Sequence, residues 1–273
     1  MKTWLNGQPA GQISLLDRGL AYGDGLFETL RIDNGRPLWL AAHLARLTEG
    51  LQRLGFPLEV VELLKADLQQ IPMPDDGVLK LTITRGAGGR GYRLPEQPQC
   101  SRIIALGELP QFVGRPAEQG VRVRHCQTGL AINPALAGLK HLNRLEQVMA
   151  RQEWQSTEIA EGLVCDLDGF LVEGTMSNLF WWRDGVLYTP DLSGSGVSGI
   201  IRNQLLQIAE RHGIETCVGR FRPDQLASAD ELFICNSLID IWPVVRLDEQ
   251  RWPIGSITRQ LQQWLQQESG IES

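Results

Sequence analysis

The sequence is poor in lysine and lacks any long apolar run. Of its 26 basic residues, 22 (26 − 4) are arginines, and the four lysines are Lys2, Lys65, Lys80 and Lys140. A reaction that needs a side-chain amine therefore has four candidates. No segment approaches the roughly 20 apolar residues of a membrane-spanning helix, and the first residues lack the apolar core of a signal peptide. These absences predict a cytoplasmic protein that has no membrane partner.

The cysteines and the charge balance exclude further classes. The five cysteines are widely spaced and form no Cys-x-x-Cys pair, which is typical of reduced thiols rather than of a disulfide framework. Twenty-six basic and 32 acidic residues give 26 − 32 = −6, and this charge argues against nucleic acid as a partner.

Common catalytic motifs are also missing. The sequence has no HExxH, GxSxG or GxxxxGK[ST] motif, and its four histidines are not spaced as metal ligands, so we expect no metal site. Gly86–Gly91 matches GxGxxG, but the following residues include Pro95 and cannot open the helix of a dinucleotide site.

The apolar patterns predict an α+β fold in two mixed domains. Leucines recur at helical spacing over 40–54, alternation predicts a strand over 78–84, and a helix is expected over 139–155. Asp168-Gly169 and Asp184-Gly185 are typical hairpin turns. We assign residues 1–110 to a small N-terminal α+β domain, 111–119 to a linker and 120–273 to a large C-terminal domain.

Two loops could bind anions. The Gly/Ser loop 194–199 precedes a predicted helix, whose first N–H groups and dipole favour phosphate; a plain turn with Ser198 as N-cap is an equally good interpretation. The Gly-rich loop carries Arg85, Arg90 and Tyr92, which are suited to carboxylates, although a flexible hairpin loop explains its composition as well.

Lys140 differs from the other lysines in its surroundings. It lies where an apolar stretch meets a predicted helix start, and partial burial there would favour the neutral, nucleophilic amine. The other three lysines have ordinary interpretations as terminal, helix-surface or strand-surface residues.

Three further segments share a pattern with a known family. They are Glu173-Gly-Thr-Met-Ser-Asn-Leu-Phe180, Leu187-Tyr-Thr189 and Val197-Ser-Gly-Ile-Ile-Arg202. With them the chain resembles, over nearly its whole length, the class IV enzymes that use pyridoxal 5'-phosphate (PLP). The resemblance implies fold-type IV, as in D-amino-acid aminotransferase, and a homodimer.

Within that family the sequence resembles the aminodeoxychorismate lyases most. Residues 22–29, 85–92 and 138–148 carry this likeness. It implies a PLP-dependent lyase of folate biosynthesis that converts 4-amino-4-deoxychorismate to 4-aminobenzoate and pyruvate. The alternatives are a D-amino-acid or branched-chain aminotransferase of the same fold and, as a different class, a non-catalytic cofactor- or carboxylate-binding protein.

The resemblance also implies site residues. Lys140 would be the catalytic residue and would bond to the cofactor, and the other expected cofactor contacts are Glu173, Arg46, Ile200, Ile201 and Ser237. The expected substrate contacts are Arg90, Tyr92, Thr29, Asn143 and Asn236. Ile201 and Ser237 depart from the family pattern, since many aminotransferases have threonine at both positions, and Ile201 can donate only its backbone N–H.

Overall fold

The computed structural model describes residues 1–269, which group into two units. The first contains Met1–Pro110 and Leu139–Asn143, and the second contains Gln111–Gly138 and the described residues from Arg144 onward. The boundaries at 110 and 120 stay a prediction, but the grouping differs from them at 139–143.

The first unit is built around one antiparallel sheet. Its elements are β1 (Lys2–Leu5), β2 (Gln8–Pro9), α1 (Arg18–Tyr22), β3 (Gly25–Asp33), β4 (Arg36–Pro37), α2 (Leu40–Arg53), α3 (Glu59–Gln69), β5 (Gly77–Thr84) and β6 (Ser101–Gly107). The strand order is β2-β1-β6-β5-β3-β4. The helix and strand predicted over 40–54 and 78–84 are confirmed by α2 and β5.

Strand β3 separates the two faces of this sheet. Leu26, Glu28, Leu30 and Ile32 alternate as buried residues, while the odd-numbered residues from Phe27 to Asp33 are half-buried. Alternation along a strand sends successive side chains to opposite faces. The buried face therefore holds apolar side chains and a single carboxylate, Glu28.

The second unit contains a larger mixed sheet. Its elements are α4 (Pro116–Gln119), β7 (Val121–His125), α5 (Leu145–Arg151), β8 (Ile159–Cys165), β9 (Leu171–Gly174), β10 (Asn178–Arg183), β11 (Val186–Pro190), α6 (Ile200–Arg211), β12 (Glu215–Gly219), a 3₁₀ helix (Pro223–Ser228), β13 (Glu231–Asn236), β14 (Asp240–Leu247), β15 (Gln250–Arg251) and α7 (Ser256–Ser269). The strand order is β12-β11-β10-β13-β14-β7-β8-β9, with β15 on β14.

Aromatic and branched side chains form the core of the second unit. The rings of Phe180 and Phe233 stack with centroids 5.2 Å apart, and Trp181 stacks on Tyr188. These large side chains come from neighbouring strands, so they fix the register of β10 against β13 and β11.

Both Asp-Gly turns are confirmed. Asp184 and Gly185 have positive φ between β10 and β11, and Gly169 has positive φ between β8 and β9, as tight hairpins require. The helix predicted over 139–155 is wrong in its first part, because α5 begins only at Leu145.

Three further findings concern the described residues. No helix among residues 1–269 has both the length and the apolar character to span a bilayer. Within the same residues, no group of three or more His, Cys, Asp or Glu side chains is arranged to hold a metal. All five cysteines are free thiols.

Candidate active site

The segment that carries Lys140 lies extended along β3. The N–H of Phe27 donates to the carbonyl of Lys140 (2.9 Å), and the N–H of Leu142 donates to the carbonyl of Gly25 (3.0 Å). An isolated bridge pairs Leu26 with His141. The sequence prediction of a helix failed here because these pairings join residues more than 100 positions apart, which no local pattern reveals.

The amine of Lys140 is placed over an aromatic ring. Its Nζ lies 4.5 Å from the ring centroid of Phe27, and the Nζ of Lys80 lies 5.2 Å from the same centroid. The π face of an aromatic ring attracts cations. Lys140 is therefore held at two points, by its backbone on β3 and by its amine on Phe27.

On the other face of β3, Glu28 organises a buried ionic cluster. Its Oε1 accepts from Arg46 Nε (2.8 Å), its Oε2 accepts from Arg46 Nη2, and Oε2 also accepts from His43 Nδ1 (2.6 Å). Glu28 and His43 are 1% and 0% exposed. The two contacts from Arg46 form a bidentate pair that fixes the plane of the guanidinium group.

The protonation states in this cluster follow from burial and charge. Burial raises the pKa of Glu28, but the hydrogen bond from His43 and the charge of Arg46 outweigh it and hold that pKa below its usual value. Burial lowers the pKa of His43; Glu28 opposes this, whereas the charges of Arg46 and Lys140 add to it.

His43 is accordingly neutral and carries its proton on Nδ1. An ionised Glu28 can only accept a hydrogen bond, so Nδ1 must be the donor. Nε2 of His43 is buried and has no hydrogen-bond partner among the described residues. A proton there would be a buried, unsatisfied donor, which is costly.

Glu28 and His43 were not assigned a role from the sequence. A signal was present, because Glu28 occupies a buried position of an alternating strand, where an unpaired carboxylate would be unstable. Its partners could not be identified, because they come from a helix that follows in sequence and packs on β3.

In the second unit, Glu173 accepts hydrogen bonds from a backbone N–H and a side-chain amide. It lies on β9, is 5% exposed, and its Oε2 accepts from the N–H of Val197 (2.8 Å) and from Asn178 Nδ2 (3.4 Å). Asn178 Nδ2 also donates to the carbonyl of Val197 (3.0 Å). Burial lowers the pKa of Arg144 while the negative charge of Glu173 opposes that change.

The loop 194–199 approaches Glu173 closely. Gly196 has φ +85°, and a Cβ there would lie 3.2 Å from Glu173 Oε2. The N–H of Gly138 donates to the carbonyl of Gly196 (2.9 Å), and Gly138 precedes Lys140 by two residues. A Cβ on Gly199 would lie 1.9 Å from Asn178 Oδ1. The loop therefore needs glycine at both positions.

Helix α6 begins directly after this loop. Ile200 and Ile201 are its first two residues and are buried, and the N-cap Gly199 provides no side-chain hydrogen bond. The first N–H groups of a helix lack intrahelical partners and attract anions. Arg202 is used structurally, because it donates to the carbonyl of Pro190 (2.9 Å) and to Thr189 Oγ1.

Ser237 lies in a turn that Asn236 fixes. The side-chain carbonyl of Asn236 accepts from the N–H groups of Leu238 (2.8 Å) and Ile239 (3.1 Å), and its Nδ2 donates to the carbonyl of Met176 (3.1 Å). The amide of Asn236, expected from the sequence to contact substrate, thus holds the turn around Ser237.

The remaining expected substrate residues are all in the first unit. Thr29 is half-buried on β3, and Asn143 Nδ2 donates to the carbonyl of Gly23 (3.2 Å). Arg90 and Tyr92 are exposed on the loop between β5 and β6, Tyr92 by 84%. Lys140 lies alongside β3, the strand that carries Thr29, whereas Arg90 and Tyr92 project from a loop.

Arg85 does not belong with Arg90 and Tyr92. It is buried, donates to the carbonyls of Leu54 (2.8 Å) and Gly55 (3.1 Å), and pairs with Asp24. The prediction that Arg85 could bind a carboxylate ligand is wrong, because its donors stabilise the end of α2. The loop itself is held by Arg18, which donates to the carbonyl of Gly91 (3.0 Å).

Comparison with known proteins gives full-length similarities. The chain is 35% identical over 264 residues to the aminodeoxychorismate lyase of Vibrio harveyi, covering 95% of this chain and 97% of that protein. It superposes on the crystal structure of 4-amino-4-deoxychorismate lyase from Pseudomonas aeruginosa with a TM-score of 0.90 and 47% identity, over 97% of this chain and 98% of that one.

An aminotransferase structure has the same fold. The branched-chain amino acid aminotransferase of Escherichia coli superposes with a TM-score of 0.83 and 25% identity, over 97% of this chain and 93% of that one. The predicted fold class is confirmed. The family model described as amino-transferase class IV matches residues 25–247. The chain therefore belongs to the class IV aminotransferase family.

Proposed function

We propose that this chain is a PLP-dependent aminodeoxychorismate lyase, which converts 4-amino-4-deoxychorismate to 4-aminobenzoate and pyruvate. The observation that carries the proposal is the full-length likeness to two lyases, one of them 47% identical. Relatives in this family are PLP enzymes, and the described residues fit that cofactor.

The fit rests on three groups of residues. Lys140 offers the amine to which the cofactor aldehyde bonds. Glu173 is a buried carboxylate held by Val197 and suited to a protonated pyridine nitrogen. The phosphate is proposed to bind three groups. Arg46 provides a positive charge, the N–H groups of Ile200 and Ile201 at the start of α6 add the helix dipole, and Ser237 provides a hydroxyl.

The residues of this chain have distinct tasks in the reaction. PLP supplies an aldehyde for the substrate amine and a ring that accepts the electron pair left at the substrate carbon. Lys140 Nζ takes the proton from C4 of the substrate as general base. The bond from C3 to the enolpyruvyl oxygen then breaks with its electron pair leaving on the oxygen, and the substrate ring becomes aromatic. A proton added to the methylene carbon of the released enolate gives pyruvate.

Glu173 keeps the proton on the ring nitrogen throughout. The negative charge of its carboxylate would stabilise the protonated form of that nitrogen. Arg46, oriented by Glu28, would hold the cofactor phosphate. We propose Arg90, Tyr92, Thr29 and Asn143 as contacts for the two substrate carboxylates and the ring, with Asn236 acting through the turn at Ser237.

We also propose a cytoplasmic homodimer. Leu15, Leu16 and Leu20 are exposed apolar residues of the first unit, and Leu145 and Val148 are exposed on one face of α5 in the second. Large exposed apolar side chains that recur along one short segment or helix face are typical of protein interfaces. A single species with the mass of two chains in sedimentation equilibrium is expected; a monomer at micromolar concentration would contradict it.

One assay tests the lyase against the aminotransferase. The aminotransferase is the second candidate, because an aminotransferase shares the fold at a TM-score of 0.83. Purified protein with PLP is incubated with aminodeoxychorismate alone, and separately with amino acids and 2-oxoglutarate. We expect pyruvate and 4-aminobenzoate without a co-substrate. Glutamate formation in the second mixture, without product in the first, would overturn the lyase.

Borohydride reduction tests the proposed attachment site. The reduced protein is digested and its peptides are mapped by mass spectrometry. We expect the phosphopyridoxyl group on the peptide that contains Lys140. The amine of Lys80 also lies near the Phe27 ring, and a label there instead would contradict the assignment of Lys140. No label at all would favour a non-catalytic protein.

A further inference from the structure

A second buried carboxylate, Glu161, lies beneath the turn that follows Glu173. Glu161 is on β8 and is 3% exposed. Its Oε1 accepts from the N–H of Gly162 (2.9 Å) and from the N–H (3.1 Å) and hydroxyl (2.5 Å) of Thr175. Its Oε2 accepts from the N–H of Met176 (3.1 Å) and the hydroxyl of Ser177 (2.9 Å).

Four of these five donors come from three consecutive residues. A buried carboxylate is costly unless its lone pairs are satisfied, and here the turn 175–177 satisfies them. The dependence is mutual, because the same hydrogen bonds fix three residues of the turn: without Glu161 the N–H of Met176 and the hydroxyls of Thr175 and Ser177 would lose this acceptor, while the N–H of Thr175 would keep the carbonyl of Gly162 (3.0 Å). Gly174 permits the approach, since a Cβ there would lie 2.9 Å from the Cγ of Glu161.

This turn joins the two residues that define the carboxylate site. Glu173 precedes it on β9 and Asn178 follows it on β10, and Asn178 Nδ2 donates to Glu173 (3.4 Å). The carbonyl of Met176, in the middle of the turn, accepts from Asn236 Nδ2 (3.1 Å). The turn therefore also supports the loop that carries Ser237.

We propose that Glu161 is a positioning residue for the cofactor, which it serves by fixing the turn between Glu173 and Asn178. This inference rests on the proposed function, since it assigns Glu161 a task only if Glu173 faces the pyridine nitrogen. Glu161 does not touch the reacting groups; it sets where the Glu173 carboxylate and the Ser237 loop lie.

The chain offers a matched control for Glu161. Glu231 is a buried carboxylate of the same unit, and it accepts from the N–H of Ile257 (3.1 Å) and from the N–H (2.7 Å) and hydroxyl (2.7 Å) of Thr258 at the start of α7. Both glutamates thus accept hydrogen bonds from backbone N–H groups and from the hydroxyl of a buried threonine. Only Glu161 does so beside the proposed site.

The test compares Glu161→Gln with Glu231→Gln. Both variants place an amide among N–H and O–H donors, so both apoproteins should melt at lower temperature than the wild type. We expect the dissociation constant for PLP to rise about tenfold in Glu161→Gln, the lower end of the effect of losing an outer-shell partner, and to stay unchanged in Glu231→Gln. The pH midpoint of the bound cofactor's visible band should shift only in Glu161→Gln.

A milder pair covers the case in which Glu161→Gln does not fold. Thr175→Val and Thr258→Val are isosteric and each removes one hydroxyl donor from its glutamate. We expect the same changes at a smaller magnitude. Only Thr175→Val should bind PLP more weakly and shift the pH midpoint of the visible band.

The outcomes separate this inference from the proposed function. If the wild type binds PLP and both members of each pair behave alike in affinity and spectrum, Glu161 is only structural and the inference is wrong. If the wild type itself binds no PLP, the proposed function fails, and the inference fails with it.

Discussion

The two units hold their proposed cofactor residues by different chemistry. In the first, the Arg46 cation is oriented by an ionised partner, Glu28, inside a buried cluster that includes neutral His43. In the second, the Glu173 anion is held by a backbone N–H and a side-chain amide. The first arrangement orients a charge by a bidentate ion pair, and the second orients a charge by hydrogen bonds from uncharged groups, with Arg144 close enough for its charge to interact with Glu173.

The difference follows from what each residue has to do. Arginine stays protonated in proteins, so a partly buried Arg46 needs a counter-charge, and a bidentate carboxylate also sets its plane. A carboxylate can be stabilised by N–H groups alone. The hydrogen bonds from Val197 and Asn178 orient the Glu173 carboxylate, whose negative charge we propose to stabilise a cationic ring nitrogen.

The largest effect expected is for Lys140→Ala. The variant removes the amine over Phe27, which we propose as both the attachment point and the general base. Turnover of aminodeoxychorismate should fall by about 10⁴-fold, the upper range for a positioned general base, and borohydride should label no residue. A visible absorption band together with full turnover in this variant would contradict the assignment of Lys140. Lys80→Ala is the control, and it should still be labelled at Lys140.

Glu28→Gln should destabilise the buried ionic cluster of the first unit. The buried partners Arg46 and His43 lose their ionised acceptor, and breaking a buried pair costs about 3–5 kcal/mol of unfolding free energy. Urea denaturation measures this loss, and a PLP titration should show weaker binding because Arg46 is no longer oriented.

Asp67→Asn provides the control for Glu28→Gln. It breaks another well-buried carboxylate–arginine pair of the same unit, with Arg102 (2.7 Å). We expect lower stability but unchanged affinity for PLP. Equal losses of affinity in the two variants would mean that Glu28 contributes stability alone.

Glu173→Gln tests the proposed role of the Glu173 carboxylate in the second unit. The amide keeps most of the shape but not the charge, so PLP should still attach to Lys140 while turnover falls by about 10²-fold, as when one electrostatic stabiliser is removed. Steady-state kinetics and the borohydride label are measured on the same sample. Wild-type kcat in the labelled variant would contradict the proposed role.

The smallest effect concerns His43 and acid. Its pKa in the folded chain is lowered, so as pH falls below the ordinary value of about 6.5 the unfolded chain binds a proton first and stability declines. The slope from one such group approaches about 1.4 kcal/mol per pH unit. We expect His43→Asn to flatten the stability curve as the pH falls below about 6.5.

Urea unfolding at several pH values measures that slope. The other three histidines are present in both proteins, so the difference between the two curves isolates His43. Parallel curves would mean that His43 is protonated in the folded chain, contrary to the tautomer assigned from Glu28.

Local patterns predicted what depends on neighbours in sequence. The leucine spacing predicted α2, the alternation predicted β5, and Asp184-Gly185 predicted the hairpin turn, because each depends on short-range geometry. The segment 173–180 and the loop 194–199 indicated the family for the same reason: short stretches of backbone with fixed chemistry.

Non-local pairing decided the cases that sequence analysis missed or mistook. Lys140 was expected at a helix start and lies extended along β3. Arg85 was considered as a carboxylate contact on a Gly-rich loop, and it instead stabilises the end of α2. Neither outcome follows from neighbouring residues, because the partners are separated by tens of positions in the chain.

The sequence by itself determined the residue types available for chemistry, including four lysines, and the order and character of many helices and strands. Only the tertiary structure decided that Glu28 orients Arg46 and that Glu161 fixes the turn after Glu173. A buried charge must find its partners in space, and folding brings together residues whose separation along the chain carries no local signal.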